Sequence, residues 1–205
     1  MIKNYGIYNG GSMKKITKIF LVIIIFSFFI TGCTSKKEEK LTDAEKFKKE
    51  YESLNNKSDG ELNYLKVKIT KDNPIVYTTP KKVIAKINNN DLFVLYLGSA
   101  KDNESRKIIN LLLSSAKDNN VKYLYYIDTK KYDSSLDELK DTLNKGDNKI
   151  DDIRKTPSIL VISKKEIYEK TTDLSKNGEK SIKNQFNCLF KCLKEESTTC
   201  EKNVC

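Results

Sequence analysis

The chain has 205 residues, a formal net charge of +10 and no histidine. Without histidine, the chain can form neither a Ser-His-Asp or Cys-His catalytic arrangement nor a zinc site with imidazole ligands. Its basic residues are interleaved with acidic ones, as in Lys36-Lys37-Glu38-Glu39-Lys40. Because they form no basic stripe with stacking aromatic residues, the composition predicts no nucleic-acid partner.

The N-terminal region has the pattern of a bacterial lipoprotein signal peptide. Lysines at positions 14, 15 and 18 precede an uncharged apolar run from Ile19, and Ile30-Thr31-Gly32-Cys33 has the form of a lipobox. The run is shorter than the ~20 residues of a membrane-spanning helix, which disfavours a transmembrane anchor. In lipoproteins that this segment resembles, the cysteine carries a diacylglycerol with palmitate-type chains, and the chain is cut just before it. We therefore predict that residues 1–32 are removed and that Cys33 is lipidated, with translation starting at Met1 or at Met13.

Removal of 32 residues from 205 would leave 173, an ordinary length for a single domain. The removed segment holds four lysines and no acidic residue, so the net charge would fall from +10 to +6. Two acyl chains anchor a protein stably, which places it on the outer face of the cytoplasmic membrane with the lipid bilayer as a partner. We predict a polar tether at residues 33–40, a folded domain with an N-terminal helix at residues 41–193, and a cysteine-containing tail at residues 194–205.

Hydrophobic periodicity predicts an amphipathic helix at residues 41–55 and then alternating strands and helices. The strands are predicted at residues 67–69, 92–97, 121–127, 159–162 and 166–170, and the later helices at residues 80–87, 108–116, 136–143 and 182–193. Parallel strands need helical crossovers, and only the last two strands are close enough for a hairpin. The order therefore predicts an α/β domain with three layers and a mixed central sheet.

Over residues 67–193 this order resembles the thioredoxin fold. The buried strand 93–97 runs into Gly98 and a helix, and Thr156-Pro157 precedes the next-to-last strand. The stretches 47–52, 72–77 and 125–126 resemble those of thioredoxin-like lipoproteins and bacteriocin-accessory proteins of Gram-positive bacteria. The resemblance implies a thioredoxin-like three-layer fold with a mixed central sheet, preceded by an N-terminal helix.

The redox motif of that family is degenerate in this chain. In the family, Cys-x-x-Cys begins the helix after the buried strand, whereas Asp102 and Ser105 stand at these positions here. Neither residue can exchange a disulfide, because the chemistry needs a thiolate. Asp102 is predicted to cap the helix by accepting an amide of Glu104 or Ser105. In the alternative, Asp102, Glu104 and Ser105 ligate a hard cation, although these three residues bring too few oxygens together for calcium.

Thr156-Pro157 corresponds to the second half of the family site. The resemblance implies a cis bond that faces the Asp102 to Ser105 positions and a neighbouring main chain that pairs with an extended peptide or an envelope protein. In the alternative, the proline simply precedes a strand.

The remaining cysteines are close to the C terminus, at positions Cys188, Cys192, Cys200 and Cys205. Side chains at i and i+4 of a helix are too far apart for an unstrained bridge, so Cys188 and Cys192 are predicted to bond the tail. Two connectivities remain, and an antiparallel return of the tail favours Cys192 with Cys200 and Cys188 with Cys205. The alternatives are a four-thiolate zinc site and a redox-active tail cysteine.

The sequence therefore predicts a membrane-anchored lipoprotein of thioredoxin fold that lacks the redox pair, needs no cofactor and works as a non-catalytic binding or accessory module. The alternative is a thiol-disulfide oxidoreductase of the cell envelope that uses the C-terminal cysteines.

Overall fold

A mixed five-stranded sheet between two layers of helices forms the domain in the computed structural model, which describes residues 40–132, 134–172, 174, 177–191 and 193. The described helices are α1 Asp43–Glu52, α2 Pro80–Asn88, α3 Asn103–Asp118, α4 Ser134–Leu143 and α5 Glu179–Lys191, with a 3-10 turn at Thr129–Lys131. The described strands are β1 Ser58–Asp59, β2 Leu62–Asn63, β3 Ile75–Tyr77, β4 Phe93–Gly98, β5 Leu124–Asp128, β6 Ser158–Ser163 and β7 Glu166–Thr171.

The order of strands in the large sheet is β3-β5-β4-β6-β7. β3, β5 and β4 run parallel, while β6 is antiparallel to β4 and β7 is antiparallel to β6. β6 and β7 are joined by a tight turn in which Lys164 and Lys165 have φ of 51° and 68°. This arrangement, with α1 ahead of it, confirms the predicted α/β class and matches the thioredoxin-like three-layer fold.

Each face of the sheet has its own hydrophobic core. α1, α3 and α5 cover one face with residues such as Phe47, Ile108 and Phe186. α2 and α4 cover the other face with residues such as Val83 and Leu139. β4 lies in the middle and is buried along its whole length, as its unbroken apolar run predicts.

Helix starts follow the local sequence signals. Thr42 and Glu45 form a reciprocal capping box at the start of α1. Thr79 caps α2, and Pro80 takes the first-turn position that the sequence predicts for it.

The predicted strand at residues 67–69 is wrong. Val67 and Ile69 are buried and Lys68 is exposed, so the predicted alternation is present, but these residues belong to no strand. Their main-chain groups bond to side chains of α1 and of the loop after it instead of to a neighbouring strand. The first strand of the large sheet is β3, and the predicted succession of strands and helices holds from there.

Candidate functional site

Asp102 caps the first turn of α3 at the point where β4 ends. Its Oδ1 accepts the amide of Glu104 at 3.3 Å, and its Oδ2 accepts the amide of Ser105 at 3.0 Å. The Ser105 hydroxyl donates to the same Oδ2 at 2.7 Å. The predicted cap is confirmed, and it uses both of the candidate amides.

Ser105, which the resemblance places at the second cysteine position, is a fully buried side chain. Its Oγ accepts the amide of Ser99 at 3.2 Å while its proton is donated to Asp102. The hydroxyl is thus committed on both sides and shielded from solvent. Its hydrogen bonds to Ser99 and Asp102 hold the end of β4 against the start of α3.

The Thr156-Pro157 loop lies against this helix start. The Thr156-Pro157 bond is cis. The Thr156 hydroxyl donates to Asp102 Oδ2 at 2.9 Å, so the two halves of the site that the resemblance implies do meet. Among the described residues, the main-chain N–H and C=O of Thr156 make no hydrogen bond.

Two buried tyrosines lie on the core side of this site. The Tyr51 and Tyr96 hydroxyls are 2.9 Å apart and joined by a hydrogen bond. Burial raises the pKa of both phenols above the ordinary value, so both stay neutral at physiological pH. The ring of Tyr96 fills the space that a Cβ at position 98 would need, which accounts for Gly98 at the end of β4.

Arg106 follows Ser105 and is only 1% exposed. Its guanidinium donates to the carbonyls of Leu65, Tyr51 and Ala100 at 2.6, 2.8 and 3.1 Å, and to Asn55 Oδ1 at 2.8 Å. All four acceptors are neutral oxygens, and burial lowers the pKa of the guanidinium. The arginine therefore joins three separate segments around the start of α3.

A second polar cluster lies at the carboxyl ends of β3 and β5. Lys131 Nζ is 3.0 Å from Glu50 and 3.2 Å from Asp128. Burial alone would lower the pKa of Lys131, but the two carboxylates raise it overall. Tyr77 donates to Glu50, and burial together with this bond raises the pKa of Tyr77. Each of these charges has a partner inside the cluster, which is typical of a structural ion network.

The cation alternative gains no geometric support within the described residues. No group of three or more His, Cys, Asp or Glu side chains that could hold a metal occurs there. The oxygens of Asp102 already accept four hydrogen bonds from three residues, although the buried Glu104 Oε2 has no partner in the described part of the chain.

The C-terminal cysteines are described only in part. Cys188 lies on α5 and is disulfide-bonded. Cys192, Cys200 and Cys205 lie outside the described residues, as do Cys33 and the lipobox. A bridged Cys188 does not fit the four-thiolate zinc alternative, while the partner of Cys188, the second bridge and lipidation remain predictions.

Sequence reasoning missed Arg106, Asn103 and Asn55, which hold the chain around the site. One signal could have identified Arg106, because it stands at helical spacing from the buried Ile109 and Leu113. A charged residue in such an apolar stripe predicts a buried cation with several acceptors. The two asparagines carry no comparable sequence signal.

A comparison with known protein families and with curated proteins finds no match to this chain. In the described part of the chain, no helix has the length and apolar character needed to cross a membrane.

Proposed function

We propose that this protein is a lipid-anchored, extracytoplasmic binding or accessory module of thioredoxin-like fold that takes an extended polypeptide at the Thr156-Pro157 loop. The anchor is proposed from the lipobox at Cys33. The proposal places no thiol-disulfide exchange at Asp102 and Ser105, because a carboxylate and a hydroxyl hold these positions.

The hydrogen bonding of Thr156 is the main support for the binding proposal. Its side chain is held by Asp102 at 2.9 Å, while its main-chain N–H and C=O make no hydrogen bond to another described residue. A residue with a fixed side chain, and with a main-chain donor and acceptor that no described residue uses, is suited to add main-chain hydrogen bonds to an extended peptide. Ser105 supports this arrangement by sharing the same carboxylate oxygen.

Binding of an unfolded probe tests the proposal. The probe is a reduced, carboxymethylated polypeptide, which stays unfolded and cannot exchange disulfides. Thr156→Val removes the hydroxyl that fixes the loop, and we expect it to weaken binding about 5-fold, the effect of one hydrogen bond. The matched control is Thr142→Val, since the Thr142 hydroxyl bonds Glu138 within α4 on the other face of the sheet.

Amide NMR adds a second measurement on the same samples. The probe should shift the Thr156 amide signal of the unaltered protein and leave the Thr142 amide signal in place. Equal binding by the two variants, or an unchanged Thr156 signal at saturation, would rule out docking at this loop.

A further inference from the structure

Residues 63–69, which we call the strap, lead from β2 past α1 and the start of α3, and their main-chain contacts repeat at every second residue, as in an extended chain. Residues 64–69 belong to no strand. An extended main chain normally forms hydrogen bonds with a neighbouring strand. Here, side chains from the rest of the domain provide those hydrogen bonds.

The first of these sets of hydrogen bonds is at Leu65. Its N–H donates to Asn103 Oδ1 at 2.9 Å, and Asn103 Nδ2 donates to the Asn63 carbonyl at 2.8 Å. The Leu65 carbonyl accepts from Arg106 Nε at 2.6 Å. One asparagine amide and one guanidinium thus bind both main-chain groups of Leu65.

The same pattern of hydrogen bonds is repeated two and four residues further along the strap. Val67 donates to Asn55 Oδ1 at 3.0 Å and accepts from Asn55 Nδ2 at 2.8 Å. Ile69 donates to Glu52 Oε1 at 2.7 Å and accepts from Lys48 Nζ at 2.7 Å. Five side chains from the rest of the domain therefore bind the N–H and C=O groups of three alternate residues. A protein recognises an added strand by the same pattern of contacts.

Burial is limited to a few side chains of the strap. Tyr64, Val67 and Ile69 are buried, whereas Lys66 and Lys68 are exposed. The hairpin that leads into the strap, β1 and β2, is exposed on both strands and adds no buried anchor.

The polar side chains under the strap need a main chain there to complete their hydrogen bonds. Among the described residues, the acceptors of the buried Arg106 guanidinium are all neutral, and one of them is the Leu65 carbonyl. Asn55 directs both ends of its amide to Val67. Without a main chain here, Arg106 loses one of its four described acceptors, and the half-buried Asn55 amide keeps only its bond from Arg106, at a cost in free energy. The surface is therefore fitted to an extended chain and would take another one if the strap left.

We propose that this surface, formed by Lys48, Glu52, Asn55, Asn103 and Arg106 and called the strap groove, binds an extended segment of a partner polypeptide. The strap is its resident occupant and competitor. The groove reads main-chain groups, so it accepts any segment that has apolar residues two positions apart, as Val67 and Ile69 are. This inference does not rest on docking at the Thr156-Pro157 loop, which uses other main-chain groups.

A peptide with the sequence of residues 62–70 is the probe, labelled with a fluorophore and added to the full chain in detergent micelles. Val67→Asn with Ile69→Asn removes the strap's two neighbouring apolar anchors. The matched control is Lys66→Asn with Lys68→Asn, which places the same residues at exposed positions of the same segment.

We expect the first variant to bind the peptide about 10-fold more tightly than the control or the unaltered protein, because a resident competitor lowers apparent affinity. Addition of Asn55→Leu should abolish that gain.

Size-exclusion chromatography of the first variant identifies the occupant. A monomer that binds the peptide supports a partner segment. A strap-exchanged dimer that leaves the peptide unbound would overturn that assignment in favour of a second copy of this chain, and a folded monomer without binding would overturn the groove itself.

Hydrogen exchange keeps the proposal testable if that variant does not fold. In the unaltered protein with peptide in excess, the amides of Leu65, Val67 and Ile69 should lose protection while those of β4 keep theirs. If the strap amides exchange only as fast as those of β4, the strap does not leave and the proposal fails.

Discussion

At the scale of single residues, three fully buried tyrosines stabilise the domain in different ways. Tyr51 and Tyr96 share a hydrogen bond between their hydroxyls, whereas the buried Tyr126 hydroxyl has no partner among the described residues. The ring of Tyr126 is stacked with Tyr96 at 5.3 Å and packs edge-on to Phe47 at 4.9 Å. The ring of Tyr126 thus contributes to packing while its hydroxyl carries an uncompensated desolvation cost.

Tyrosine-to-phenylalanine substitutions test this difference. Tyr51→Phe removes one partner of a buried hydrogen bond and should lower the free energy of unfolding by about 1–2 kcal/mol. Tyr126→Phe removes an unpaired hydroxyl with no loss of ring packing and should leave that free energy unchanged or raise it by up to about 1 kcal/mol. Urea unfolding of the two variants provides the measurement. A larger loss for Tyr126→Phe than for Tyr51→Phe would contradict the contacts described for the two hydroxyls.

The same phenols predict how stability depends on pH. Burial raises the pKa of Tyr51, Tyr96 and Tyr126, whereas in the unfolded chain they ionise at their ordinary pKa of about 10. Above about pH 10 the unfolded state therefore binds fewer protons than the folded state, and the free energy of unfolding falls as pH rises. Below that pH their contribution is fully present.

Urea midpoints on either side of about pH 10, with tyrosinate absorbance recorded alongside, measure this loss. Tyr51→Phe combined with Tyr96→Phe should show a shallower decline, because two of the responsible groups are gone. A decline as steep as in the unaltered protein would assign the effect to other groups.

At the scale of elements, hydrophobic periodicity predicted most of the sheet, because the strands bury apolar side chains that the sequence pattern shows. β4 and β6 satisfy their main-chain groups in a ladder, so their apolar runs correspond to strands. Residues 67–69 have the same alternation but bond to side chains of α1 and the loop after it. Periodicity records burial and not the identity of the hydrogen-bond partner, which is why this strand was predicted wrongly.

The candidate site divides in the same way between what sequence could and could not predict. The Asp102 cap follows from local rules at a helix start, and the structure confirms it. The bonds from Thr156 to Asp102 and from Arg106 to Leu65 join residues that are 54 and 41 positions apart in the chain. Such contacts depend on the finished fold, and composition or spacing gives no signal for them.

Restoring two cysteines tests the alignment of α3 with the redox helix of the family. Asp102→Cys with Ser105→Cys should give an exchangeable disulfide between the new thiols, since both lie in the first turn of the helix. The pair should also lower the free energy of unfolding by about 1–3 kcal/mol, because the cap and the acceptor for Thr156 are lost. Peptide mapping after alkylation, before and after reduction, identifies the bridge. The two single-cysteine variants are the controls, and thiols that stay separate under oxidising conditions would refute the alignment.

At the scale of the whole molecule, side chains bind some of the main-chain groups on both edges of the sheet. On β3, the amides of Ile75 and Tyr77 donate to Asn73 and Asp43. On β7, the Ile167 carbonyl accepts from Asn148. Edges that are occupied in this way resist the addition of a strand from another chain. Contacts with other polypeptides are therefore expected at the Thr156-Pro157 loop and the strap groove rather than along the sheet.

A lipid anchor would hold both of these surfaces near the membrane, and Cys33 decides whether it does. Cys33→Ala removes the only sulfur in the lipobox, so we expect the altered protein to stay as an unprocessed precursor or to leave the membrane. The control is Cys200→Ala, which removes a cysteine of the tail and leaves the lipobox intact. Fractionation of cells with mass measurement of the intact protein compares the two. The prediction fails if the Cys33→Ala protein stays in the membrane fraction at the size of the processed chain, since residues 34–40 are polar and offer no apolar face to hold a bilayer.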